Sequence, residues 1–338
     1  MRLRRSKPDG PGIRRLRRGR GFSYVDVSGQ AVDPQTRERI SSLAIPPAWR
    51  DVWISPWPHG HIQAVGTDDA GRRQYLYHEA WHESRNEAKH LRVLTLARGI
   101  HTVREAVETD LTARALGRDR VLGVALRMLD YGVFRTGGEA YVQENGTHGV
   151  ATLLREHVSL RRGEVVFEYT AKGGLARSVS LRDDKLAAAI RALRRARCDS
   201  DRLLVYRDGR EWREVRADDV NARFKELAGE DYTVKDLRTW RATVVAAVAL
   251  AQAGPAGSKA ARARAERAAM ELVAEELGNT PAVARRSYVD PRVVEHFGAG
   301  RTIAAALQRL GGHDLMVPEV RLGVERAVVR LLASQPRG

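Results

Sequence analysis

Hydrophobic and polar positions follow two different periods in the two parts of the chain. From Gly21 to about His78 apolar residues come in short alternating runs: Phe22-Ser-Tyr-Val-Asp-Val, Asp51-Val-Trp-Ile-Ser, His61-Ile-Gln-Ala-Val-Gly and Gln74-Tyr-Leu-Tyr-His. Pro46-Pro47, Pro56, Pro58 and Gly71 punctuate them. Runs of period two bounded by turn residues predict strands of a small antiparallel sheet, with a helix over 34–43. Downstream the spacing becomes helical and predicts segments over 84–97, 100–115, 118–134, 186–197, 217–227, 234–252, 257–277 and 320–333. One hairpin interrupts them. Val165, Phe167 and Tyr169 alternate with polar neighbours, Lys172-Gly173-Gly174 forms the turn, and 177–181 alternates back. The fold class is therefore α+β, a small antiparallel-sheet N-terminal domain followed by a mostly α-helical one.

A chain of 338 residues exceeds what one core usually supports, so two domains are expected, with a boundary near 85–95. The division reads as a flexible basic arm over 1–20, a β-rich domain over 21–90 and a helical domain over 91–338. The arm is inferred from nine basic residues against one acidic in the first 20, with Pro8, Gly10, Pro11 and Gly12 breaking any helix and no apolar signal-peptide core following.

Charge narrows the partner. Lys plus Arg outnumber Asp plus Glu by 58 to 42, a formal charge of +16, which points to a polyanion and first to nucleic acid. Trp49, Trp53, Trp57 and Tyr75 could stack on bases, although most are expected in the sheet's core. The single cysteine, Cys198, allows neither an internal disulfide nor a thiolate metal cluster. The longest apolar run, 244–251, is too short to span a bilayer. A soluble, cytoplasmic, nucleoid-associated protein is expected. His59 and His61, and His78 and His82, lack further ligands at metal spacing. No Walker loop occurs, so neither a metal nor a nucleotide cofactor is implied.

Polar groups are set where folding does not ask for them at five places. Between 278 and 292, Gly278 can end a long helix in a left-handed conformation, Thr280-Pro281 can start a short one, and Tyr288 follows among cations. Tyr288 is the candidate nucleophile, and Asn279 could donate a hydrogen bond into the space before it. Arg285 and Arg286 could serve either the tyrosine or a phosphate. Arg135 closes a helix before Thr136-Gly137-Gly138, Lys172 stands on the hairpin turn, and Arg238 lies beside the apolar stripe of Leu237, Trp240, Val244, Val248 and Ala251. Each has an ordinary explanation when taken alone: a helix-dipole partner, a solvated turn lysine, an arginine stem covering a core.

Taken together, Phe-Arg135-Thr-Gly-Gly-Glu, the Lys172 turn, Lys-Asp-Leu-Arg238-Thr and Ser-Tyr288-Val-Asp-Pro-Arg resemble type IB DNA topoisomerases of the poxvirus-like and bacterial branch. The 145–154 segment Asn-Gly-Thr-His-Gly-Val-Ala-Thr-Leu-Leu resembles it too, as does the front segment from Ile45-Pro-Pro-Ala-Trp to His61-Ile-Gln-Ala. The likeness covers about 13–315. It implies a helical catalytic domain of the tyrosine recombinase and type IB topoisomerase kind, with Tyr288, Arg135, Lys172, Arg238 and Asn279 catalytic. Lys235, Arg285, Arg286 and Tyr141 would be DNA contacts. Asn279 departs from the pattern, since many relatives place histidine there, and an amide cannot carry positive charge.

The resemblance further implies relaxation of supercoiled duplex DNA through a 3′-phosphotyrosyl intermediate without ATP or metal, by a monomer that clamps the duplex. A tyrosine site-specific recombinase shares these groups, but the N-terminal segment favours relaxation. A DNA-binding protein with weak catalysis is the remaining alternative.

Overall fold

The computed structural model describes residues 2–132, 134–139, 142 and 146–334. It divides into two compact units, Met1–Lys89 and His90–Gly338. In the first unit, strands β1 (Ile13–Arg18), β2 (Gly21–Val25), β3 (Arg50–Ile54), β4 (Ile62–Thr67) and β5 (Arg73–Tyr77) form one antiparallel sheet, in the order β2-β1-β3-β4-β5. Helix α1 (Pro34–Ser42) starts on an Asp33 cap whose carboxylate accepts from Thr36 N–H. The alternation in the sequence places Ile13, Ile54, Ala64 and Leu76 in register across four strands. With Val52 and Ile40 of α1 they make this unit's core.

Residues 13–18 are therefore not part of a flexible arm. Ile13 is buried, and the next inward position, Arg15, sends its guanidinium to the carbonyls of Ile45, Pro46 and Trp49 and lies 4.2 Å over Phe22. An arginine whose stem covers an apolar edge can take a strand position. A count of cations does not reveal this. Of the tryptophans considered for stacking, Trp49 packs against the core, Trp53 donates from Nε1 to Gly10 O, and Trp57 is exposed, as is Tyr75.

Helix α2 (Glu79–Thr112) is continuous where the sequence predicts two helices, and the division between the units falls within it. The second unit continues with α3 (Arg118–Asp130), the sheet β6 (Val158–Arg161), β7 (Glu164–Ala171) and β8 (Leu175–Leu181), and α4 (Asp184–Arg194). Then come the hairpin β9 (Val205–Asp208) and β10 (Glu211–Glu214), α5 (Ala217–Ala228), α6 (Val234–Gln252) and α7 (Lys259–Leu277). Four shorter or terminal helices finish it: α8 (Pro281–Ser287), α9 (Pro291–Gly298), α10 (Ala304–Leu310) and α11 (Pro318–Ala333). The unforeseen elements, β6, β9, β10, α9 and α10, span four to eight residues. That is too short for periodicity to declare itself.

Two apolar clusters fill this unit. One joins α3, α4, α5 and β6–β8; the other joins α7–α11. Helix α6 belongs to both, with Val234 and Leu237 in the first and its apolar residues from Trp240 onward in the second. Residues buried on all sides explain its unbroken apolar run, and Arg238 sits where it passes from one cluster to the other. No helix among the described residues is long and apolar enough to cross a membrane.

Candidate active site

The site is built on the end of α7. Gly278 adopts φ 62°, ψ 50° and stops the helix, Asn279 N–H returns to Ala274 O at 2.8 Å, and the Thr280 hydroxyl caps α8 with Pro281 in its first turn. A helix end leaves carbonyls without intrahelical donors and carries partial negative charge. Three arginines from three other elements meet them. Arg177 of β8 donates to Glu275 O (2.9 Å) and Glu276 O (2.7 Å), and Arg238 of α6 to Leu277 O (2.8 Å). Arg135, past the end of α3, donates from Nη2 to Gly278 O (2.9 Å) and to Asn279 Oδ1 (2.7 Å).

Arg238 is not a surface residue. It is 4% exposed and donates from Nη1 to Gly132 O and Phe134 O at 3.1 and 2.8 Å, so it ties the α3 end to the α7 end. Burial and then the neighbouring Arg135 lower its pKa to about 10, which still leaves it protonated at neutral pH. Its guanidinium carbon lies 5.7 Å from the centre of the Tyr288 ring. Among the described residues, two donors here are buried with no hydrogen-bond partner, Arg238 Nε and Asn279 Nδ2. Such groups are uncommon in folded proteins because each costs about 1–3 kcal/mol.

Tyr288 follows the last turn of α8 and is 8% exposed. Its backbone is held from α6: Thr243 Oγ1 lies 3.4 Å from Tyr288 O and accepts from Asp290 N–H at 3.1 Å. Asp290 in turn caps α9 and binds Arg292.

The loop carrying Arg135 is fixed by the 146–152 segment. Val150 N–H donates to Arg135 O (2.8 Å) and Ala151 N–H to Thr136 O (2.7 Å). A Cβ on Gly149 would stand 2.5 Å from Gly137 N and 2.6 Å from Arg135 O, so this crossing requires glycine. Lys172 is exposed on the turn between β7 and β8, whose Gly173 and Gly174 take φ 85° and 73°. It lines a small cavity with Arg135, His148, Tyr169, Arg177 and Gly278.

The structure thus gathers Arg135, Arg238, Asn279 and Tyr288 around one helix end, with Lys172 across a cavity from Arg135. Lys235 is exposed on the first turn of α6, one turn before Arg238. Arg285 pairs with Glu266 of α7 at 2.7 Å, and Arg286 is exposed. Tyr141 lies outside the described residues. Sequence reasoning missed Arg177, His148 and Thr243. Their positions carried only the signature of a strand cation, a loop polar residue and a helix threonine.

A family profile described as the catalytic core of eukaryotic DNA topoisomerase I matches residues 78–303. A second, the N-terminal domain of bacterial DNA topoisomerase IB, matches 21–68. The chain is 31% identical over 289 residues to a DNA topoisomerase 1B of Acanthamoeba polyphaga mimivirus, covering 82% of this chain and 85% of that protein. It is 24% identical over 144 residues to DNA topoisomerase 1B of vaccinia virus strain Western Reserve, 41% of this chain and 46% of the relative. Monkeypox virus DNA topoisomerase I gives the same figures, 24% over 144 residues.

Proposed function

Since the chain belongs to the type IB DNA topoisomerases, which are isomerases, we propose that it relaxes supercoiled duplex DNA through a 3′-phosphotyrosyl intermediate formed on Tyr288. The Tyr288 oxygen attacks the phosphorus and gives up its proton to water as the new ester forms. The bond to the 5′ oxygen breaks, and that oxygen takes a proton from the Lys172 ammonium. One phosphoester replaces another, so neither ATP nor a metal is called for. The freed strand swivels about its partner, and the 5′-hydroxyl then attacks the phosphotyrosine to reseal the duplex.

The observation that carries this reading is the pair of buried, unpartnered donors, Arg238 Nε and Asn279 Nδ2, at the helix end beside Tyr288. Groups of this kind want an acceptor, and a phosphoryl oxygen is one. Arg135 and Arg238 would hold the non-bridging oxygens as negative charge concentrates on them, a task suited to guanidinium forks. Lys172, on a three-residue turn with two glycines, has the reach of a mobile acid. Lys235, Arg285, Arg286 and Tyr141 would meet flanking phosphates. We take the acting species as a single chain that grips the duplex with both of its units.

Supercoiled plasmid incubated in EDTA without ATP should relax. Denaturing the reaction should trap a covalent adduct that mass spectrometry maps to Tyr288, and Tyr288→Phe should abolish both while leaving duplex binding nearly unchanged. An adduct on another residue, or relaxation that survives in Tyr288→Phe, would overturn the assignment.

A further inference from the structure

The cavity that Lys172 and Arg135 share is also lined by a histidine to which the mechanism above gives no work. His148 is half-buried there. Its backbone N–H donates at 2.8 Å to Thr170 O, two residues before Lys172 on the same hairpin arm, so the ring is built into the frame that carries the lysine. Its Nδ1 lies 2.7 Å from Thr152 O. A carbonyl can only accept, so Nδ1 bears the hydrogen and Nε2 is the position left to change with protonation.

Behind it stands His157, with ring centres 4.6 Å apart and planes at 69°. The Nδ1 of His157 accepts from Leu154 N–H at 3.1 Å. Burial first, and His148 second, push the His157 pKa down, with Glu156 opposing weakly. The groups facing His148 are Arg135 from the loop after α3, Lys172 and Arg177 from the β7–β8 hairpin, and Tyr169. Three of these are cations.

We propose that His148 is a further phosphate-contacting residue, which as imidazolium donates from Nε2 to the scissile phosphate on the side of the departing 5′ oxygen. A phosphate oxygen seated against Nε2 favours the imidazolium form, so seating the duplex is coupled to proton uptake at His148. Nδ1–H on Thr152 O keeps the ring aimed in both states. The effect has a definite sign: a group whose pKa is higher in the complex strengthens binding as pH falls. The proposal rests on the reading of this cavity as the leaving-group side of a phosphodiester site.

The test uses the full chain in three forms, wild type, His148→Gln and His148→Phe, with single-turnover cleavage of a duplex followed from pH 5.5 to 8.5. Adduct formation by wild-type protein establishes the underlying reaction, so absence of any adduct condemns that reading rather than this one. With the adduct present, wild-type cleavage should show a rise toward low pH that both variants lack. His148→Gln, which keeps a neutral donor, should be slowed about tenfold at pH 6, and His148→Phe more, the size expected for losing one charge-assisted contact to developing charge. Near pH 8.5 the glutamine variant should approach wild type. A folded His148→Gln protein whose pH profile parallels wild type overturns the proposal. So does a loss of rate that is equal at every pH, which would mark His148 as a packing residue. Proton uptake on duplex binding, measured by titration in buffers of different ionisation enthalpy, should fall in both variants, and unchanged uptake counts against the assignment.

Discussion

At the scale of single residues the candidate site is a contest for hydrogen bonds. The carbonyls of 275–278 and the side chain of Asn279 occupy three arginines in the free protein. Donors remain at Arg238 Nε and Asn279 Nδ2. Lys172 differs in being exposed and mounted on glycines, which is what a proton carrier needs and a rigid clamp does not. If its proton serves only the departing oxygen, a 5′-bridging phosphorothiolate should remove the need, because a thiolate leaves without help. Lys172→Ala is accordingly expected to slow cleavage of a normal phosphodiester on the order of a hundredfold or more and to recover most of that on the sulfur substrate. Arg135→Ala and Arg238→Ala should show no such recovery. Equal defects for Lys172→Ala on both substrates would reduce it to an electrostatic contact.

At the scale of elements, the crossing of the 134–138 loop with the 146–152 segment sets where Arg135 points. The two backbones touch at Gly137 and Gly149, and their ladder of Val150 and Ala151 N–H bonds ends on Arg135 O and Thr136 O. A methyl group at Gly149 has nowhere to go except into this backbone. Gly149→Ala should therefore cost about 1–3 kcal/mol by urea unfolding, the range for overpacking a closed site, and should depress cleavage well beyond what that lost stability explains. Full activity with unchanged stability would show that the loops separate freely. The same contact explains why two motifs ten residues apart are found together, since each is the packing surface of the other.

The whole molecule shows two electrostatic regimes. The chain carries a formal +16, so duplex affinity should fall steeply between about 50 and 200 mM salt as condensed cations cease to be released to advantage. Affinity that stays flat over that range would rule out phosphate-led binding. Inside, one cluster pairs its charges. Asp130, Arg104, Arg321 and Glu325 form a buried cluster joining α2, α3 and α11, which Trp240 Nε1–H of α6 reaches by donating to Glu325 Oε1 at 3.2 Å. Burial pushes the Asp130 and Glu325 carboxyls up, but the two arginines outweigh it and hold both below the usual range. Carboxyls depressed in the folded state stabilise it above their unfolded pKa, near 4, and lose that contribution as pH falls toward the folded values. Stability should thus be level at neutral pH and decline below about pH 4. Asp130→Asn, which leaves two arginines short of a partner, should cost about 3–5 kcal/mol and flatten the acid limb of an unfolding-against-pH curve.

Sequence alone determined what depends on neighbours along the chain. The long helices were legible from 3.6-residue spacing, α2 only as two pieces, the β7–β8 hairpin from alternation about Lys172-Gly173-Gly174, and the α7–α8 break from Gly278 and Thr280-Pro281. Those signals are local, because caps, turns and periodicity act over a few residues. The grouping of Arg135, Arg238, Asn279 and Tyr288 was also expected, but only through motif resemblance. Their convergence on one helix end joins residues more than 100 positions apart. Only the tertiary structure decided the rest. It drew Ile13–Arg18 into the sheet, because long-range pairing and core contacts can absorb an arginine stem that composition counts as mere charge. It buried Arg238 by surrounding α6 with two apolar clusters, where the sequence showed one stripe. It also brought Arg177 to the α7 end and His148 to the Lys172 cavity, placements set by strand register and by a glycine crossing, neither of which leaves a pattern along the chain.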